Sequence, residues 1–384
     1  MRTSSFSAVF LSVASLGTLL STANTSFGQQ PPTLDEVIAA LEERERLFFE
    51  SGELKLDYER VESDDVVRSR ASGGYLAARW TLARREDKWF LEQEFTQPGK
   101  QEEMTVPAKP RTQVYRDQRQ VEWRQGVKSA FINEFGLGGN MYTGLEYTDF
   151  LGFDVPQRIA ASGGADIQEV RETHRGYVDH PFLPEFLKEN RSHYRVDPQP
   201  REVNGVQCWA IVWEGMDEIL LDPELNFALR RRAVHWGPGE PMRYEVVCED
   251  FDEAKPGLWL PQSIQVDTYA SISAEDESLW GKVTNESTYQ LHSAEFEDVP
   301  EDLFDLELPE GTRVVDVPRG VRYTVSAATA SPFSAPAATE QVQKLPDPQE
   351  RPLEAEPQQN LTLYAIGGLL AALAVVVLLR RVRS

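Results

Sequence analysis

Cysteine and basic residues are both scarce in this sequence. Its 384 residues include only two cysteines, Cys208 and Cys248, so the fold does not depend on a network of disulfides. The 39 lysines and arginines are outnumbered by 62 acidic residues, which gives a net charge of −23. Without Arg2 and the three arginines of the C-terminal tail, residues 29–379 carry −27. Such a surface repels phosphate backbones, so nucleic acid is not an expected partner.

Catalytic and metal-binding motifs are absent as well. The sequence contains no G-x-S-x-G, H-E-x-x-H, Walker or C-x-x-C pattern. His174, Asp179 and His180 are the only clustered side chains of metal-binding type, and the spacing of the two histidines fits no helix face. The glycines of "FGLGGN" lack the strand and helix that a phosphate-binding loop needs. The sequence therefore predicts no enzyme, no cofactor and no metal site.

Long apolar runs are missing except for one at the C-terminus. Leu361–Leu379 contains no charged side chain, and as a helix it would be about 28 Å long, close to the apolar thickness of a bilayer. A buried core helix is the alternative, but such helices rarely lack a polar face over this length. Arginines at 380, 381 and 383 are typical of a cytoplasmic flank. We predict a transmembrane helix over residues 360–380 and a cytoplasmic tail over 381–384.

The N-terminus has the layout of a secretory signal peptide. Arg2 precedes a short apolar stretch, and Ser26 and Gly28 place small side chains before a cut at Gln29. A second membrane anchor is the alternative, but serines dilute the apolar stretch. With a signal peptide over 1–28, residues 29–325 form a domain outside the cytoplasm, either periplasmic or on the cell surface. Residues 326–359, rich in alanine, proline and glutamate, are predicted to be a disordered stalk.

Within that domain, one helix is followed by many strands. Thr33 and Glu36 have the spacing of a capping box at the start of an amphipathic helix. "GELKLDYERV" then alternates apolar and polar residues, as a half-exposed strand does. Hairpins are predicted around a turn at 85–88 and another near Asp117, and a short helix at "LPEFLKEN". Residues 136–167 read as irregular or partly helical, and five strand-rich segments occupy the rest. The predicted class is mainly β (α+β), a large curved antiparallel sheet in sequence order with the helix packed on it.

Several segments resemble motifs of the LolA-like, or outer-membrane lipoprotein-sorting, family. "VYRDQRQVEWRQG" resembles a family hairpin, and "ILLDPELNFALRRRAVHW" resembles its L-D-P-x-T-G-L-P-x-R hairpin. "GLWLPQSIQVDTY" and "FEDVPEDLFDLELPEGTRVVD" resemble the strands that follow. The resemblance covers residues 33–325, and its combination with a stalk and a final helix also resembles exported proteins of planctomycete-type bacteria.

The resemblance implies an open half-barrel whose concave side is covered by helices. It also implies that acyl chains of lipids or lipoproteins bind to that side. No functional residue can be carried over, because the family's motifs here contain none that align. A tethered chain also differs from the soluble carriers, which move between membranes.

The tryptophans and the cysteines are the candidate site residues. Trp209, Ile211 and Trp213 lie on one face of a strand that is apolar on both sides, so both faces should be covered. The tryptophans either fill the space between sheet and helix or line a cavity for acyl chains. The ligand-binding candidates are Trp80, Trp89, Trp209 and Trp213. Cys208 and Cys248 lie in separate strands, which leaves both a disulfide and two reduced thiols open.

Two functions of different class are compatible with the sequence. The chain is either a membrane-tethered binding domain for lipid or lipoprotein acyl chains, or a tethered scaffold or sensor that contacts other envelope proteins without a lipid ligand.

Overall fold

A computed structural model of the chain describes residues 30–62, 75–98, 110–134, 145–153, 155, 183–270, 280–326, 331–333 and 343–344. The predicted signal peptide, the predicted transmembrane helix, the cytoplasmic tail and the histidines at 174 and 180 lie outside these residues. Within them, no helix is long and apolar enough to cross a membrane.

The first helix, α1 (Leu34–Phe49), begins at the predicted capping box. The Thr33 N–H donates to Glu36 Oε2 at 2.7 Å, and the Glu36 N–H donates to Thr33 Oγ1 at 3.3 Å. Two backbone donors that the helix leaves free are thereby satisfied. The buried side of α1 carries Val37, Leu41 and Phe48, so the helix packs through its apolar face. Two shorter helices follow, α2 (Glu146–Phe150) and α3 (Leu183–Glu189), and α3 confirms the short helix predicted at "LPEFLKEN".

Most of the remaining described chain is strand. The strands in chain order are β1 (Glu53–Glu62), β2 (Tyr75–Arg85), β3 (Lys88–Pro98), β4 (Arg111–Arg116), β5 (Arg119–Arg124), β6 (Ser129–Glu134), β7 (Arg195–Val196), β8 (Arg201–Val203), β9 (Val206–Trp213), β10 (Asp217–Asp222), β11 (Ala228–His235), β12 (Met242–Lys255), β13 (Leu258–Tyr269), β14 (Val283–Glu295), β15 (Arg313–Asp316), β16 (Val321–Thr324) and β17 (Gln343–Lys344). Both predicted hairpins, β2–β3 and β4–β5, are present.

These strands form one sheet built from two meanders. Strands β9 to β14 pair in sequence order, and so do strands β1 to β6. The first strand, β1, pairs with β2 on one edge and with β14 on the other, so it joins the two meanders. β7 and β8 pair with the outer edge of β9. At the opposite end the order continues from β6 through β15 and β16 to β17, and the β6–β15 pair is parallel. The mainly antiparallel sheet is therefore confirmed, but its order departs from a single meander.

The sheet curves around α1. Arg84 of β2 donates to the Phe49 carbonyl at 3.5 Å, while Arg44 of α1 donates to the Phe227 carbonyl just before β11 at 3.3 Å. β2 and β11 are five strands apart, or about 24 Å in a flat sheet, whereas Arg44 and Phe49 lie only about 8 Å apart along the helix axis. The side of the sheet that faces α1 is therefore concave.

Two large hydrophobic cores cover the two sides of the sheet, and a smaller third cluster around Cys208 lies on the convex side of β9. The main core lies on the concave side between α1, α2, α3 and ten neighbouring strands, from β9 through β14 and β1 to β4. The second core lies on the other side of β2 to β6, where Phe304, Leu308 and Val314 pack against the sheet. Alternation along each strand produces this division: Trp89 and Leu91 belong to the main core, whereas Phe90 between them belongs to the second.

The disulfide between Cys208 and Cys248 is not formed. Both cysteines are free and buried. Cys208 lies on β9 and packs with Ala210 and Val212 on the convex side, whereas Cys248 lies on β12 in the main core. Two strands separate β9 from β12, and the two thiols lie on opposite sides of the sheet, so no bond can join them without moving backbone.

Two short pieces of the predicted stalk contact the domain. Phe333 packs against the second core, and its carbonyl accepts a hydrogen bond from Arg319 Nη2 at 3.5 Å. Gln343 and Lys344 form β17, which pairs with β16. The domain thus extends beyond residue 325. For the rest of residues 326–359 the stalk stays a prediction.

Candidate functional site

The four candidate tryptophans all lie on the concave side, called here the tryptophan face. Trp80 and Trp89 are buried on the neighbouring strands β2 and β3. Trp209 and Trp213 lie on β9, at the far end of the main core, and pair with Leu221 and Asp217 of β10. The structure therefore places the four on one face, but it does not bring them together into one pocket.

Side chains fill much of the space next to these tryptophans. Phe49 lies edge-on to Trp89 with ring centroids 6.5 Å apart, and Phe48 stacks on Phe153 at 4.5 Å. At the β9 end, His193 stacks on Trp213 at 4.5 Å, and Tyr194 meets the same indole edge-on. Trp89 and Trp213 therefore pack against neighbouring rings, as expected where a sheet meets helices.

A buried arginine crosses the main core beneath α1. Arg44 is 1% exposed, and its guanidinium donates to the carbonyls of Phe227 and Trp259 at 3.3 and 3.1 Å. Burial lowers the pKa of Arg44 to about 10, so the group stays charged at neutral pH. Among the described residues no carboxylate is bonded to it. The sequence carried a signal for this residue, since position 44 falls on the apolar stripe of α1.

Beyond β3, the tryptophan face continues along the same side of the sheet, but its residues become polar. The register across β3, β4, β5, β6, β15 and β16 places one residue of each strand in a single row: Leu91, Gln113, Glu122, Phe131, Val315 and Arg322. Residues paired across strands point to the same side. The row therefore begins in the main core and ends at exposed residues near the sheet edge.

The middle of that row is buried and polar. Gln113 is 1% exposed and accepts a hydrogen bond from the Tyr115 hydroxyl at 3.2 Å. Glu122 is ion-paired with Arg124 at 2.6 Å and with Arg111 at 3.3 Å, which neutralises its charge. The neighbouring Gln120 is 2% exposed, and no described residue forms a hydrogen bond with its Nε2. Leaving a buried amide without a partner is costly.

At the end of the row the sheet forms an open groove of about 1150 Å³. It lies where β6, β15, β16 and β17 meet, and we call it the edge groove. The lining residues are Val127, Ser129, Ala130, Phe131, Arg313, Val314, Val315, Arg322, Tyr323, Thr324, Val325, Ser326 and Gln343. Its volume is slightly above the range of about 300–1,000 Å³ for sites that bind small molecules. None of the four tryptophans lines it.

The edge groove combines exposed apolar side chains with two arginines. Phe131 is 37% exposed and Val127 is 46% exposed, which is high for residues of this size. Arg313 and Arg322 are exposed, and no described residue forms a hydrogen bond or ion pair with either side chain. Arg313 is paired with Thr324, so Arg322 lies diagonally across from it, at a Cα distance of about 7–8 Å. No local sequence signal identifies these residues, because the groove depends on strands far apart in the chain.

The fold type can now be compared with known proteins. No protein-family model matches the chain, and no curated protein matches it. Solved structures do. The chain is similar in structure to LolA superfamily and lipoprotein-sorting proteins. One such structure, from Vibrio parahaemolyticus, is described as an outer membrane lipoprotein-sorting protein domain; the match has 10% identity, covers 71% of this chain and 97% of the other, and has a TM-score of 0.37.

Two further structures have similar values. A LolA superfamily protein from Nitrosomonas europaea matches at 10% identity over 71% of this chain and 97% of its own length, with a TM-score of 0.34. A DUF1329 family protein from Desulfovibrio piger matches at 8% identity over 72% of this chain and 98% of its own length, with a TM-score of 0.37. The resemblance found in the sequence is thus met again in the structure. At TM-scores below 0.5 these similarities alone assign no function to this chain.

Metal chemistry finds no support in the part of the chain that the structure describes. No group of three or more His, Cys, Asp or Glu side chains is close enough together there to hold a metal ion. The two buried cysteines are poor nucleophiles as well, because burial raises the pKa of each thiol to about 12. What the described residues do present is an apolar concave face and an open groove on the same side of the sheet.

Proposed function

We propose that this chain is a membrane-tethered domain that binds acyl chains of lipids or lipoproteins outside the cytoplasm, without catalysing a reaction. The observation that supports the proposal is the continuity of the tryptophan face. One side of a single sheet is apolar across ten strands, and the same side reaches the open edge groove by way of the row from Leu91 to Arg322. A long, narrow apolar ligand needs such an extended surface.

The helices that cover this face are short, and this favours the same proposal. α2 has 5 residues and α3 has 7, so neither is stable on its own and each depends on its contacts with the sheet. α3 is fixed to α1 by ion pairs of Lys188 with Glu42 and of Arg191 with Asp35, both exposed to solvent. Exposed ion pairs contribute little free energy. A ligand that displaced α3 would therefore have to replace chiefly the burial of Leu183 and Leu187, and it would open the face near Trp213.

The proposed membrane tether is supported by the sequence alone. The apolar run Leu361–Leu379 and the arginines that follow it support a single membrane span with the C-terminus inside.

The proposal can be tested with the full-length chain purified in a lipid-free, uncharged detergent. Mass spectrometry of an organic extract should find a co-purified acyl lipid. A fatty acid that carries a doxyl quencher should then reduce the fluorescence contributed by Trp213, measured as the difference between the wild-type chain and Trp213→Phe. The matched control is Trp236→Phe, because Trp236 lies outside the main core, next to Arg243. Its contribution should not be quenched.

The alternative, a scaffold without a lipid ligand, makes the opposite prediction. Extraction would then yield no lipid beyond that of a detergent blank, and the doxyl fatty acid would quench the contributions of Trp213 and Trp236 equally.

A further inference from the structure

We propose that the edge groove is a binding site for one anionic amphiphile, with its carboxylate or phosphate group on Arg313 and Arg322 and its acyl chain along Phe131. The inference rests on the proposed function and adds to it the position and charge of the ligand's head group.

The two arginines differ from most other described arginines of this chain, and they lie next to each other. In a protein of net charge −23, other described arginines have acidic partners: Arg232 pairs with Asp217, and Arg231 pairs with both Glu218 and Glu245. Arg313 and Arg322 have none among the residues described, although acidic side chains are abundant. None of the described residues that line the groove is acidic. Within the described part of the chain, two neighbouring guanidinium groups thus have no acidic partner.

The geometry of the pair suits an oxyanion. Both arginines extend from adjacent antiparallel strands, and their diagonal register places the side chains on one face, about 7–8 Å apart at Cα. A guanidinium presents its N–H donors in a planar fork that matches a carboxylate or phosphate. Two forks at this spacing can share one phosphate or bind a carboxylate from two sides.

The apolar side chains next to the arginine pair indicate a ligand that has an apolar part, not a free ion. Val315 lies between Arg322 on β16 and Phe131 on β6 in the same row, and the exposed Val127 lines the groove as well. A free inorganic ion would make no use of Phe131, and an uncharged lipid would make no use of the arginines. An acyl chain with an anionic end uses both.

The path of the chain places the groove within reach of a membrane. Gln343 lines the groove, and 15 residues, 345–359, separate Lys344 from the predicted span. Fully extended, they reach about 50 Å. A lipid that leaves the bilayer can therefore meet the groove without the domain leaving its anchor.

The test uses the full-length chain in vesicles of phosphatidylcholine, which carry no net charge. Three probes share one diazirine-bearing acyl chain and differ in the head group: a carboxylate, a phosphatidate and a primary alcohol. After irradiation, labelled peptides are identified by mass spectrometry. We expect the carboxylate or the phosphatidate to label segments 127–131 and 313–326, and the comparison between the two identifies the head group. The alcohol should not label these segments.

The arginines are tested by the double variant Arg313→Gln/Arg322→Gln. Labelling of the groove by the anionic probe should fall at least ten-fold, which is the order of effect for losing hydrogen bonds to a charged group. The matched control is Arg79→Gln/Arg119→Gln, because these arginines also lack a partner among the described residues and lie outside the groove. The control removes the same charge and should label as the wild type does. Phe131→Ser should reduce labelling while both arginines remain, and circular dichroism shows that each variant is folded.

Three results would overturn the inference. The first is equal labelling of the groove by the alcohol, and the second is full labelling of the double arginine variant. The third is complete protection by millimolar inorganic phosphate, which would indicate a site for an ion only. Failure of the proposed function is distinct from all three: in that case none of the probes would label the tryptophan face or the groove.

Discussion

At the scale of single residues, two buried arginines show how the concave side tolerates charge. Arg232 bonds to both oxygens of Asp217 at 3.2 and 2.7 Å, and the Tyr194 hydroxyl donates to the same carboxylate at 2.7 Å. Burial and the neighbouring Asp217 raise the pKa of Tyr194, so it remains a donor at any physiological pH. Arg44 has only carbonyl partners. The Arg232–Asp217 pair is neutral overall, whereas Arg44 leaves a positive charge inside the core.

Asp217→Asn should destabilise the domain strongly, because it leaves the Arg232 charge buried without its partner. The expected loss in free energy of unfolding is about 3–5 kcal/mol, measured by chemical denaturation. The double variant Asp217→Leu/Arg232→Met removes both charges and should recover most of that loss. If Asp217→Asn were as stable as the wild type, the Asp217–Arg232 ion pair would not hold β10 to β11.

The cysteines should behave as two unreactive thiols. At pH 8 neither Cys208 nor Cys248 should react with a thiol reagent in the folded protein, since both are buried and a pKa of about 12 leaves little thiolate. In denaturant without reductant, two thiols should react. A count of zero after unfolding would show that the two form a disulfide and would contradict the separation of β9 from β12.

At the scale of elements, the sequence predicted the helices and hairpins that depend on residues close together in the chain. The start of α1 depends on residues 33 and 36, and the hairpins β2–β3 and β4–β5 depend on alternation and on a polar turn. The position of β1 between β2 and β14 could not be predicted, because the residues that pair, such as Tyr58 and Leu291, are far apart in sequence. The edge groove depends on the parallel β6–β15 pair for the same reason. Alternation did place Trp209 and Trp213 on one face, but it gave no information about which strands lie opposite them.

Thr33→Ala should lower the free energy of unfolding by about 1 kcal/mol, and Thr33→Ser should restore it. The effect should depend on pH. Hydrogen bonds from Thr33 hold the pKa of Glu36 below its ordinary value. A carboxylate with a lowered folded-state pKa stabilises the protein above its unfolded pKa, and the stabilisation is lost as the pH falls through the folded value. The difference between Thr33→Ala and the wild type in denaturation curves should therefore shrink below about pH 4.

At the scale of the whole molecule, contacts of the domain extend beyond the predicted boundary at residue 325. A chain that ends after residue 326 should unfold at a lower temperature than one that ends after 345. The longer chain retains Phe333, whose ring lies 4.9 Å from the Arg116 guanidinium and against the second core. The difference should be roughly 1 kcal/mol. Phe333→Ala in the longer chain should account for most of it, and equal melting of the two lengths would place the boundary at 325.

The orientation in the membrane can be tested with a reporter that is active only in the cytoplasm. Fused after Ser384 it should be active, and fused at Gly320 it should be inactive, because the arginines at 380, 381 and 383 favour the cytoplasmic side. The reverse pattern would overturn both the orientation and the predicted export of the domain.

The central position of β1 has a consequence for how the protein is made. During synthesis β1 can pair with β2 at once, but its other edge stays open until β14, more than 220 residues later, has emerged. Contacts so distant in sequence form late and slowly. Meanwhile an unpaired edge can recruit other chains, and alternate positions of β1 carry Lys55, Asp57 and Glu59, charges of the kind that discourage such pairing. The nascent protein is therefore most vulnerable to aggregation just before its last long strand is complete.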